Sequence, residues 1–279
     1  MNTKKLLIAK NILDTELDPA FKRRAWFILN NLNLKGKEKI LDLGCGRGFY
    51  LNLLAALYEN AQLTGCDKNS RYLKQAKVLL SGKQNVKLQE ADAAKLPFPK
   101  NTFDRVIASE ILEHVMNDDL VIKEIYRILK PNGTLLITVP NKDYPFLWDP
   151  LNWILEKTLN LHIPSDIWWL AGIWADHRRL YSKKELISKL EFNKFKITKS
   201  EYATHYSFPY IQFFLYAIGK NLVEMGYFTN FSRFGKKKNK NLLVGIVKNI
   251  IYFFDDFNEG GDKSMRSVNI LFSAKKEAL

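Results

Sequence analysis

One stretch decides the fold of this chain: Lys39-Ile40-Leu41-Asp42-Leu43-Gly44-Cys45-Gly46-Arg47-Gly48. An apolar strand runs into three glycines at alternate positions, and Asp67 follows about 20 residues later. The turn after such a strand must bend sharply and let backbone N–H groups approach a ligand, and residues without a Cβ allow both. The stretch therefore predicts the first strand, turn and helix of a nucleotide-binding α/β domain.

The spacing of the three glycines distinguishes this turn from two other nucleotide-binding turns. A dinucleotide fingerprint requires G-x-G-x-x-G, but Phe49 stands where its last glycine would be. A phosphate-binding P-loop requires Gly-Lys-Ser/Thr, and that sequence is absent. The remaining pattern, D-x-G-x-G-x-G over residues 42–48, resembles motif I of the class I S-adenosylmethionine (SAM)-dependent methyltransferases.

Composition limits the classes of protein that this chain can be. Its 279 residues are 47% hydrophobic, which is enough for one large domain with decorations, or for one domain with a small second one. The two cysteines, Cys45 and Cys66, form no C-x-x-C pair. Together with four scattered histidines they give no metal-ligand spacing, so no metal site is predicted. We expect both cysteines to be core residues at strand ends in a reducing compartment.

The chain is strongly basic, with a formal net charge of +14. Such a charge is typical of proteins that bind nucleic acid or anionic membranes. Only ten of the 43 basic residues are arginine, however, and nucleic-acid recognition relies on arginine, so the overall charge is a weak argument for it. The apolar run at residues 6–9 is too short for a signal peptide. We expect a cytoplasmic protein, either free or peripheral at the inner face of the membrane.

Hydrophobic periodicity predicts strands that alternate with helices. The predicted strands are residues 39–43, 63–66, 86–89, 103–109, 134–139, 195–203 and 267–274, and the predicted helices are residues 18–33, 48–59, 69–82, 117–130 and 182–190. A Lys-Pro-Asn-Gly stop signal at residues 130–133 ends the fourth helix, and a capping box of Ser182 with Glu185 opens the fifth. This alternation predicts an α/β fold with a doubly wound, mostly parallel seven-stranded sheet.

Two long aromatic-rich stretches interrupt the alternation and define the predicted organisation of the chain. Both leave from carboxyl ends of strands, where ligands bind in open α/β sheets, so we expect helical insertions that cover the cofactor site. The predicted segments are an N-terminal helical segment (1–35), a SAM-binding core (36–140), an insertion over the active site (141–181), a core helix and strand (182–203), an apolar and basic lid or membrane-contact insertion (204–266), and a terminal strand (267–279).

Acidic residues follow the second and third predicted strands. A carboxylate at Asp67 can accept hydrogen bonds from both hydroxyls of a ribose. Its structural alternative is to cap the next helix, a role that Asn69 or Ser70 could fill instead. Asp92 can accept a hydrogen bond from the exocyclic amine of adenine, and Ala93 leaves room for the flat ring.

Three further blocks, residues 91–98, 102–115 and 124–137, occur in the order and spacing of a known family. With the glycine turn, they resemble the family that includes the ubiquinone/menaquinone-biosynthesis methyltransferases and many small-molecule and lipid methyltransferases, over residues 36–140. Residues 176–182, Asp-His-Arg-Arg-Leu-Tyr-Ser, resemble a His-x-Arg-x-Tyr/Phe-Ser stretch that such enzymes often carry before a helix. The resemblance implies a Rossmann-like fold with a terminal antiparallel hairpin, SAM as methyl donor and S-adenosylhomocysteine as product.

The resemblance also implies which residues form the site. The predicted cofactor-binding residues are Asp42, Gly44, Cys45, Gly46, Gly48, Asp67, Lys68, Asp92, Ala93 and Ser109. The candidate catalytic residues are His114, beyond the fourth strand, and His177, in a loop over the carboxyl edge; each could instead make a structural contact. An oxygen nucleophile would benefit from a general base, for which Glu110 and Glu113 are the next candidates, although many members of such families have no obvious base.

Aromatic residues are concentrated in the two insertions. The first contains Phe146, Trp148, Trp153, Trp168, Trp169 and Trp174, and the second combines the aromatic run 206–218 with the basic residues Arg233, Lys236, Lys237, Lys238 and Lys240 and the apolar run 242–254. Tryptophans, and lysines between short apolar helices, are typical of segments in a lipid headgroup layer. The same pattern fits a lid on the sheet or a homodimer core. Nucleic acid is disfavoured because the aromatic residues are not interleaved with arginine.

The sequence therefore predicts a SAM-dependent methyltransferase that acts on a hydrophobic or lipid-linked small molecule. Whether oxygen, nitrogen or carbon receives the methyl group is open. Two alternatives remain: an RNA methyltransferase, which predicts steeply salt-dependent RNA binding, and a non-catalytic module that binds SAM or lipid.

Overall fold

A computed structural model describes residues 2–14, 16–167, 169–208, 242–258 and 265–277. Trp168 and the predicted basic cluster of the second insertion lie outside these residues. A seven-stranded sheet forms the centre of the fold. Its strands are β1 (Lys39–Leu43), β2 (Gln62–Asp67), β3 (Val86–Glu90), β4 (Phe103–Ser109), β5 (Leu129–Pro140), β6 (Phe195–Ala203) and β7 (Asn269–Lys276).

The strand order is β3-β2-β1-β4-β5-β7-β6. β1 to β5 pair in parallel, and β7 pairs antiparallel with both β5 and β6. The predicted mostly parallel, seven-stranded α/β sheet with its antiparallel hairpin is therefore confirmed. Chain order reverses between β1 and β4, and ligands bind at the carboxyl ends of the strands beside such a switch point.

Helices cover both faces of the sheet. They are α1 (Thr3–Leu13), α2 (Pro19–Asn31), α3 (Phe49–Leu57), α4 (Ser70–Leu79), α5 (Asp118–Ile128), α6 (Pro150–Leu159), α7 (Lys183–Phe192) and α8 (Leu242–Asp256), with a short 3₁₀ turn at Gly172–Trp174. None of the helices in the described part of the chain is long and apolar enough to cross a bilayer.

The alternation of side chains along β1 separates two hydrophobic cores. Ile40 packs with residues of α1, α2, α3 and α4 on one face, whereas Leu41 packs with residues of α5 and α7 on the other. Both side chains are completely buried. Because successive residues of a strand point to opposite faces, this apolar strand buries side chains on both sides, as a doubly wound sheet requires.

Polar residues begin the helices that flank the site. Asn69 caps α4, and its side-chain oxygen accepts from the N–H groups of Arg71 and Tyr72. Asn117 caps α5 in the same way, and Ser182 caps α7 as the sequence predicts. These caps satisfy N–H groups that the first turn of a helix leaves unpaired.

The end of α5 differs from the prediction. The helix ends at Ile128, and β5 begins immediately at Leu129, which pairs with Phe103. The predicted turn is present, with Asn132 in the left-handed conformation (φ 62°), but it forms an irregularity at the start of β5. The pairing with β4 explains the difference, because it draws Leu129 into the sheet before the turn signal.

The first insertion is closed at its base by backbone hydrogen bonds. Lys142 N–H donates to Tyr181 O (2.8 Å), and Tyr181 N–H donates to Pro140 O (3.1 Å). Inside it, Asp149 caps α6 and accepts from Ile173 N–H (2.9 Å). A third apolar cluster links the insertion to α2 and α8; its buried members are Ala20, Tyr144, Trp148, Ile173, Leu180, Ile251 and Val268.

Candidate active site

The glycine turn after β1 is held against the end of β2 by backbone hydrogen bonds. The N–H groups of Gly44 and Cys45 both donate to Cys66 O, at 2.8 and 3.0 Å. Gly46 N–H donates to a carboxylate oxygen of Asp67, Oδ2, at 2.8 Å. The turn is therefore fixed by the neighbouring strand.

Two of the glycines are required for different reasons. Gly44 has φ +70°, which strains any residue with a Cβ, and a Cβ there would lie 2.5 Å from Cδ1 of Ile111, so the Ile111 side chain in the loop after β4 would have to shift. Gly48 has φ +84°, and a Cβ there would lie 3.2 Å from Cβ of Ala76. Gly44 thus allows a close approach of two loops at the sheet edge, whereas Gly48 allows the start of α3 to pack on α4.

A cavity of about 310 Å³ lies at the carboxyl ends of the parallel strands, a size typical of small-molecule sites. It is lined by Leu43, Gly44, Cys66, Asp67, Lys68, Ala91, Asp92, Ala93, Ile111, His114, Val115, Met116 and Arg178.

Five of the ten predicted cofactor-binding residues and one of the two predicted catalytic residues line the cavity. Those that line it are Gly44, Asp67, Lys68, Asp92, Ala93 and His114; those that do not are Asp42, Cys45, Gly46, Gly48, Ser109 and His177. Sequence reasoning missed the apolar wall contributed by the loop after β4, and it missed Arg178. That arginine lies inside the 176–182 stretch that the resemblance singled out, so a signal for it existed.

The carboxylate of Asp67 lies at the centre of the turn. Its Oδ1 accepts from Asn69 N–H (2.8 Å), and its Oδ2 accepts from Gly46 N–H. Since Asn69 caps α4, Asp67 does not serve as the cap. Farther along the edge, Asp92 accepts from Ala94 N–H at 2.9 Å.

Asp42 is a buried carboxyl group beneath the turn. It is 1% exposed, and its Oδ2 has no hydrogen-bond partner among the described residues. Burial, with a smaller contribution from the charge of Asp67, raises the pKa of Asp42 to about 8. A buried oxygen without a partner is costly, and Oδ2 can accept a hydrogen bond from a donor placed beside the turn.

Ser109 belongs to a chain of hydroxyl groups at the end of β4. Its Oγ lies 3.1 Å from Tyr50 Oη and 2.9 Å from Thr138 Oγ1. Thr138 donates to Glu110 Oε1 (2.8 Å), and Glu110 Oε2 accepts from Arg24 (2.9 Å). The hydroxyl of Ser109 is thus engaged in holding this loop.

The two predicted catalytic histidines lie side by side, with ring centroids 4.8 Å apart. His114 Nδ1 lies 2.9 Å from Asp176 O, and His177 Nδ1 lies 2.5 Å from Ile173 O. Their Nε2 atoms lie 3.8 and 4.0 Å from Glu113 Oε1. The side chain of Glu113 is fully buried. The structure therefore groups both histidines around a carboxylate that the sequence offers only as a secondary base candidate.

The 176–182 stretch is hydrogen-bonded to the loop after β4, which explains how the two histidines meet. Arg178 N–H donates to Glu113 O (2.9 Å), and Arg178 Nε donates to His114 O (3.1 Å). Arg179 donates to Val115 O (3.0 Å). Two segments that are far apart in the sequence thus form one wall of the site.

Burial changes the proton affinity of this group. Burial and the neighbouring His114 lower the pKa of His177 to about 3, so the ring of His177 is neutral at pH 7. Burial and the charge of Glu110 raise the pKa of Glu113. A histidine with so low a pKa is a poor general base at neutral pH, which disfavours that role for His177.

Residues 41–137 match the family described as "Methyltransferase domain". The chain contains a class I, SAM-dependent methyltransferase domain. The resemblance predicted from the sequence is confirmed. The match covers the glycine turn, Asp67, Asp92 and the loop after β4, which are the elements that surround the cavity.

Relatives of the methyltransferase domain differ in their acceptors. The chain is 36% identical over 106 residues to a malonyl-[acyl-carrier protein] O-methyltransferase of Legionella pneumophila, covering 38% of this chain and 37% of that protein. It is 36% identical over 126 residues to the ubiquinone/menaquinone biosynthesis C-methyltransferase UbiE of Desulfotalea psychrophila, covering 43% of this chain and 51% of that protein. The chain thus spans about half the length of these relatives, or less.

A solved structure with the same fold is phosphoethanolamine N-methyltransferase 2 of Haemonchus contortus, in complex with SAM. It superposes with a TM-score of 0.57 at 20% identity, covering 92% of this chain and 53% of that chain. At this identity the similarity concerns the fold, which extends beyond the matched domain to nearly the whole chain.

Proposed function

We propose that this protein transfers the methyl group of SAM to a hydrophobic or lipid-linked small molecule. The observation that carries the proposal is the cavity bounded by Gly44, Asp67 and Asp92 at the switch point of the sheet. It combines a turn in the left-handed conformation, which favours glycine, with two carboxylates at the ends of neighbouring strands. Glycine turns and acidic residues at a switch point hold the ribose of nucleotides in α/β folds, which supports a nucleoside ligand here.

The residues at the cavity fit SAM. Asp67 would hold the ribose hydroxyls, and Asp92 with Ala93 would hold the adenine ring. The unpaired Oδ2 of Asp42 fits the ammonium group of the amino-acid part, directly or through water. When bound, SAM supplies a methyl group on a sulfonium. The work of the chain is to orient that group, to hold the acceptor in line with it and to exclude water.

The proposal of a hydrophobic acceptor rests on the first insertion. Eight large apolar side chains between residues 146 and 169 are more than a third exposed: Phe146, Leu147, Leu151, Ile154, Leu159, Leu161, Ile167 and Trp169. Large contiguous apolar surfaces mark interaction sites, and the proposal takes these side chains as one such surface. Two relatives are named for malonyl-[acyl-carrier protein] and for ubiquinone/menaquinone biosynthesis, and the quinone relative supports an acceptor of this kind. We propose that this surface meets the acceptor at the inner face of a membrane.

SAM binding can be tested with one substitution and a matched control. Asp67→Asn removes the charge while keeping the size of the side chain, and we expect SAM affinity in calorimetry to fall roughly 10- to 150-fold, the value of a hydrogen bond to a charged group. Asp104→Asn is the control, because Asp104 lies at the amino end of β4 and binds Lys39 N–H (2.8 Å) and Lys130 (2.8 Å). Equal losses in the two variants would contradict the assignment of Asp67.

The acceptor can be tested with SAM labelled in its methyl group. The full chain is incubated with a cell extract, and the label is then partitioned into organic, aqueous and RNA fractions. We expect label in the organic fraction, and sedimentation of the protein with anionic vesicles. Label only in RNA would establish the nucleic-acid alternative, which the net charge of +14 keeps in consideration. SAM binding without any labelled product would indicate the non-catalytic module.

A further inference from the structure

The group formed by Glu113, His114 and His177 has an unusual arrangement of hydrogens. Backbone carbonyls can only accept, so the Nδ1 atoms that contact Asp176 O and Ile173 O must each carry a proton. In a neutral imidazole, Nε2 is then left with a lone pair. Both Nε2 atoms are within 4.0 Å of Glu113 Oε1, which is also an acceptor when the carboxyl is ionised. Three atoms that carry lone pairs, all of them hydrogen-bond acceptors, therefore face one another.

The carboxyl group of Glu113 is buried and has no hydrogen-bond partner among the described residues: its side chain is 0% exposed, and both Oε1 and Oε2 lack a partner there. Buried carboxyl groups are normally paired or bound to metal, because a bare one is costly. Some positively charged particle, either a proton or a metal ion, is needed between these atoms.

Hydrogen bonds from neighbouring residues fix the orientation of the three side chains. Each Nδ1–H is fixed by a carbonyl, which sets the tautomer and aims Nε2 inward, as the outer contacts of metal-binding histidines do. The backbone of Glu113 and His114 is held in turn by Arg178. The three ligand atoms lie within 4.8 Å of one another.

We propose that Glu113, His114 and His177 form a binding site for a divalent first-row transition metal ion. With metal–ligand distances of about 2.0–2.1 Å, tetrahedral geometry places ligand atoms about 3.3 Å apart. Glu113 Oε1 lies 3.8 and 4.0 Å from the two Nε2 atoms, so small side-chain movements close the site. Two imidazoles and one carboxylate suit Zn²⁺, Fe²⁺ or Co²⁺, whereas Mg²⁺ prefers oxygen ligands and retained water.

Three protein ligands leave coordination positions for another molecule, as catalytic metal sites do. His114 belongs both to this group and to the cavity wall. Resting on the proposed function, the inference is that the acceptor offers an oxygen atom. A hydroxyl held at the metal loses its proton to water more readily. Its oxygen then forms a bond to the methyl carbon while the S–CH₃ bond breaks and its electron pair stays on sulfur.

The sequence alone predicts no metal site. Residues 113 and 114 are adjacent and residue 177 is remote, so no ligand spacing is visible in the chain. Only the hydrogen bonds from the 176–182 stretch to the loop after β4 bring the three together.

The test is metal binding by the 279-residue chain after treatment with a chelator. Calorimetry with Co²⁺, Zn²⁺ and Mg²⁺ should give one equivalent of Co²⁺ or Zn²⁺ and much weaker binding of Mg²⁺. Visible absorption of the Co²⁺ protein reports nitrogen ligands. His177→Asn keeps a donor for Ile173 O but removes the Nε2 lone pair, and Glu113→Gln removes the charge. Each should weaken binding by more than the 10- to 100-fold that loss of an outer contact causes.

A matched control is His162→Asn. His162 lies in the same insertion, its Nδ1 also contacts a carbonyl (Ile163 O, 3.0 Å), and it stacks on Trp174 without belonging to the group. This variant should bind metal like the wild type. Zn²⁺ should also raise the thermal unfolding temperature of the wild type and of His162→Asn, but not that of His177→Asn.

The outcomes separate this inference from the proposed function, because SAM affinity is measured in parallel. SAM binding without specific metal binding overturns the metal site and leaves the methyltransferase proposal intact. Metal binding that requires Glu113 and His177, without SAM binding, supports the metal site and contradicts the proposed function. Equal metal binding by wild type and both ligand variants, or a preference for Mg²⁺, overturns the inference.

Discussion

The burial of Asp42 leads to a prediction that the sequence does not suggest. Without cofactor, the protein should become less stable as the pH rises from 5 to 8. Burial, and secondarily Asp67, raise the pKa of Asp42 from 3.8 to about 8. The folded chain therefore holds this proton more tightly than the unfolded chain does. The stabilising contribution is present at pH 5 and is lost as the pH rises towards 8.

The size of the effect follows from proton linkage. For a pKa of 3.8 in the unfolded chain and about 8 in the folded chain, the free energy of unfolding should fall by about 3–4 kcal/mol between pH 5 and pH 8. In Asp42→Asn the contribution is absent, because the amide does not titrate. The comparison of variant and wild type cancels every titrating group that the two proteins share.

The assay is urea unfolding of the wild type and Asp42→Asn at both pH values, in the absence of SAM. The variant should gain about 3–4 kcal/mol relative to the wild type on going from pH 5 to pH 8. Asp104→Asn is the control. Although burial opposes it, hydrogen bonds from Lys130 and Lys39 lower the pKa of Asp104, so its contribution is already complete at pH 5. The reasoning is refuted if the difference in free energy of unfolding between Asp42→Asn and wild type changes by less than about 1 kcal/mol between pH 5 and pH 8.

Two further predictions concern the packing that holds the site. Tyr181→Phe removes the hydroxyl that donates to Asp118 Oδ2 (2.7 Å) and also lies 3.2 Å from Leu112 O, and should lower the free energy of unfolding by about 1.5–3 kcal/mol in urea titrations. Tyr202→Phe, a partly exposed tyrosine on β6, should stay within about 0.5 kcal/mol of the wild type, and equal losses would contradict the role of the buried hydroxyl. Gly48→Ala and Gly82→Ala share a left-handed backbone, with φ +84° and +82°, but only the first meets atoms of Ala76 and Leu80. Both should lose about 1–2 kcal/mol from the backbone, and Gly48→Ala should lose about 1–3 kcal/mol more from crowding; similar unfolding midpoints would show that α3 and α4 adjust freely.

The sequence predicts the parts of the fold that depend on local chemistry. The glycine turn, the seven strands and the cap at Ser182 are visible because each depends on residues close together in the chain. The end of α5 is the exception, since pairing of Leu129 with β4 overrides the local stop signal. Local signals place elements well, but they cannot report which strand competes for a residue at an element boundary.

The residues of the candidate site also fall into those that the sequence predicts and those that it does not. Asp67 and Asp92 are predictable because parallel strands bring their carboxyl ends to one edge. Other features depend on how helices and loops fold over that edge. They are the hydrogen bond from Arg24 to Glu110 and the buried Oδ2 of Asp42, which has no partner among the described residues. No spacing rule in the sequence encodes them.

The loop after β4 shows why chemistry and packing cannot be separated in this protein. One stretch of chain supplies Ile111 to the face of the glycine turn, His114 to the cavity wall and Glu113 to the buried group. Its other side is bound by Arg178 and Tyr181 from the first insertion. The loop therefore connects the first insertion with both the cofactor cavity and the two histidines. Acceptor binding at the insertion would act on both sites through this single loop.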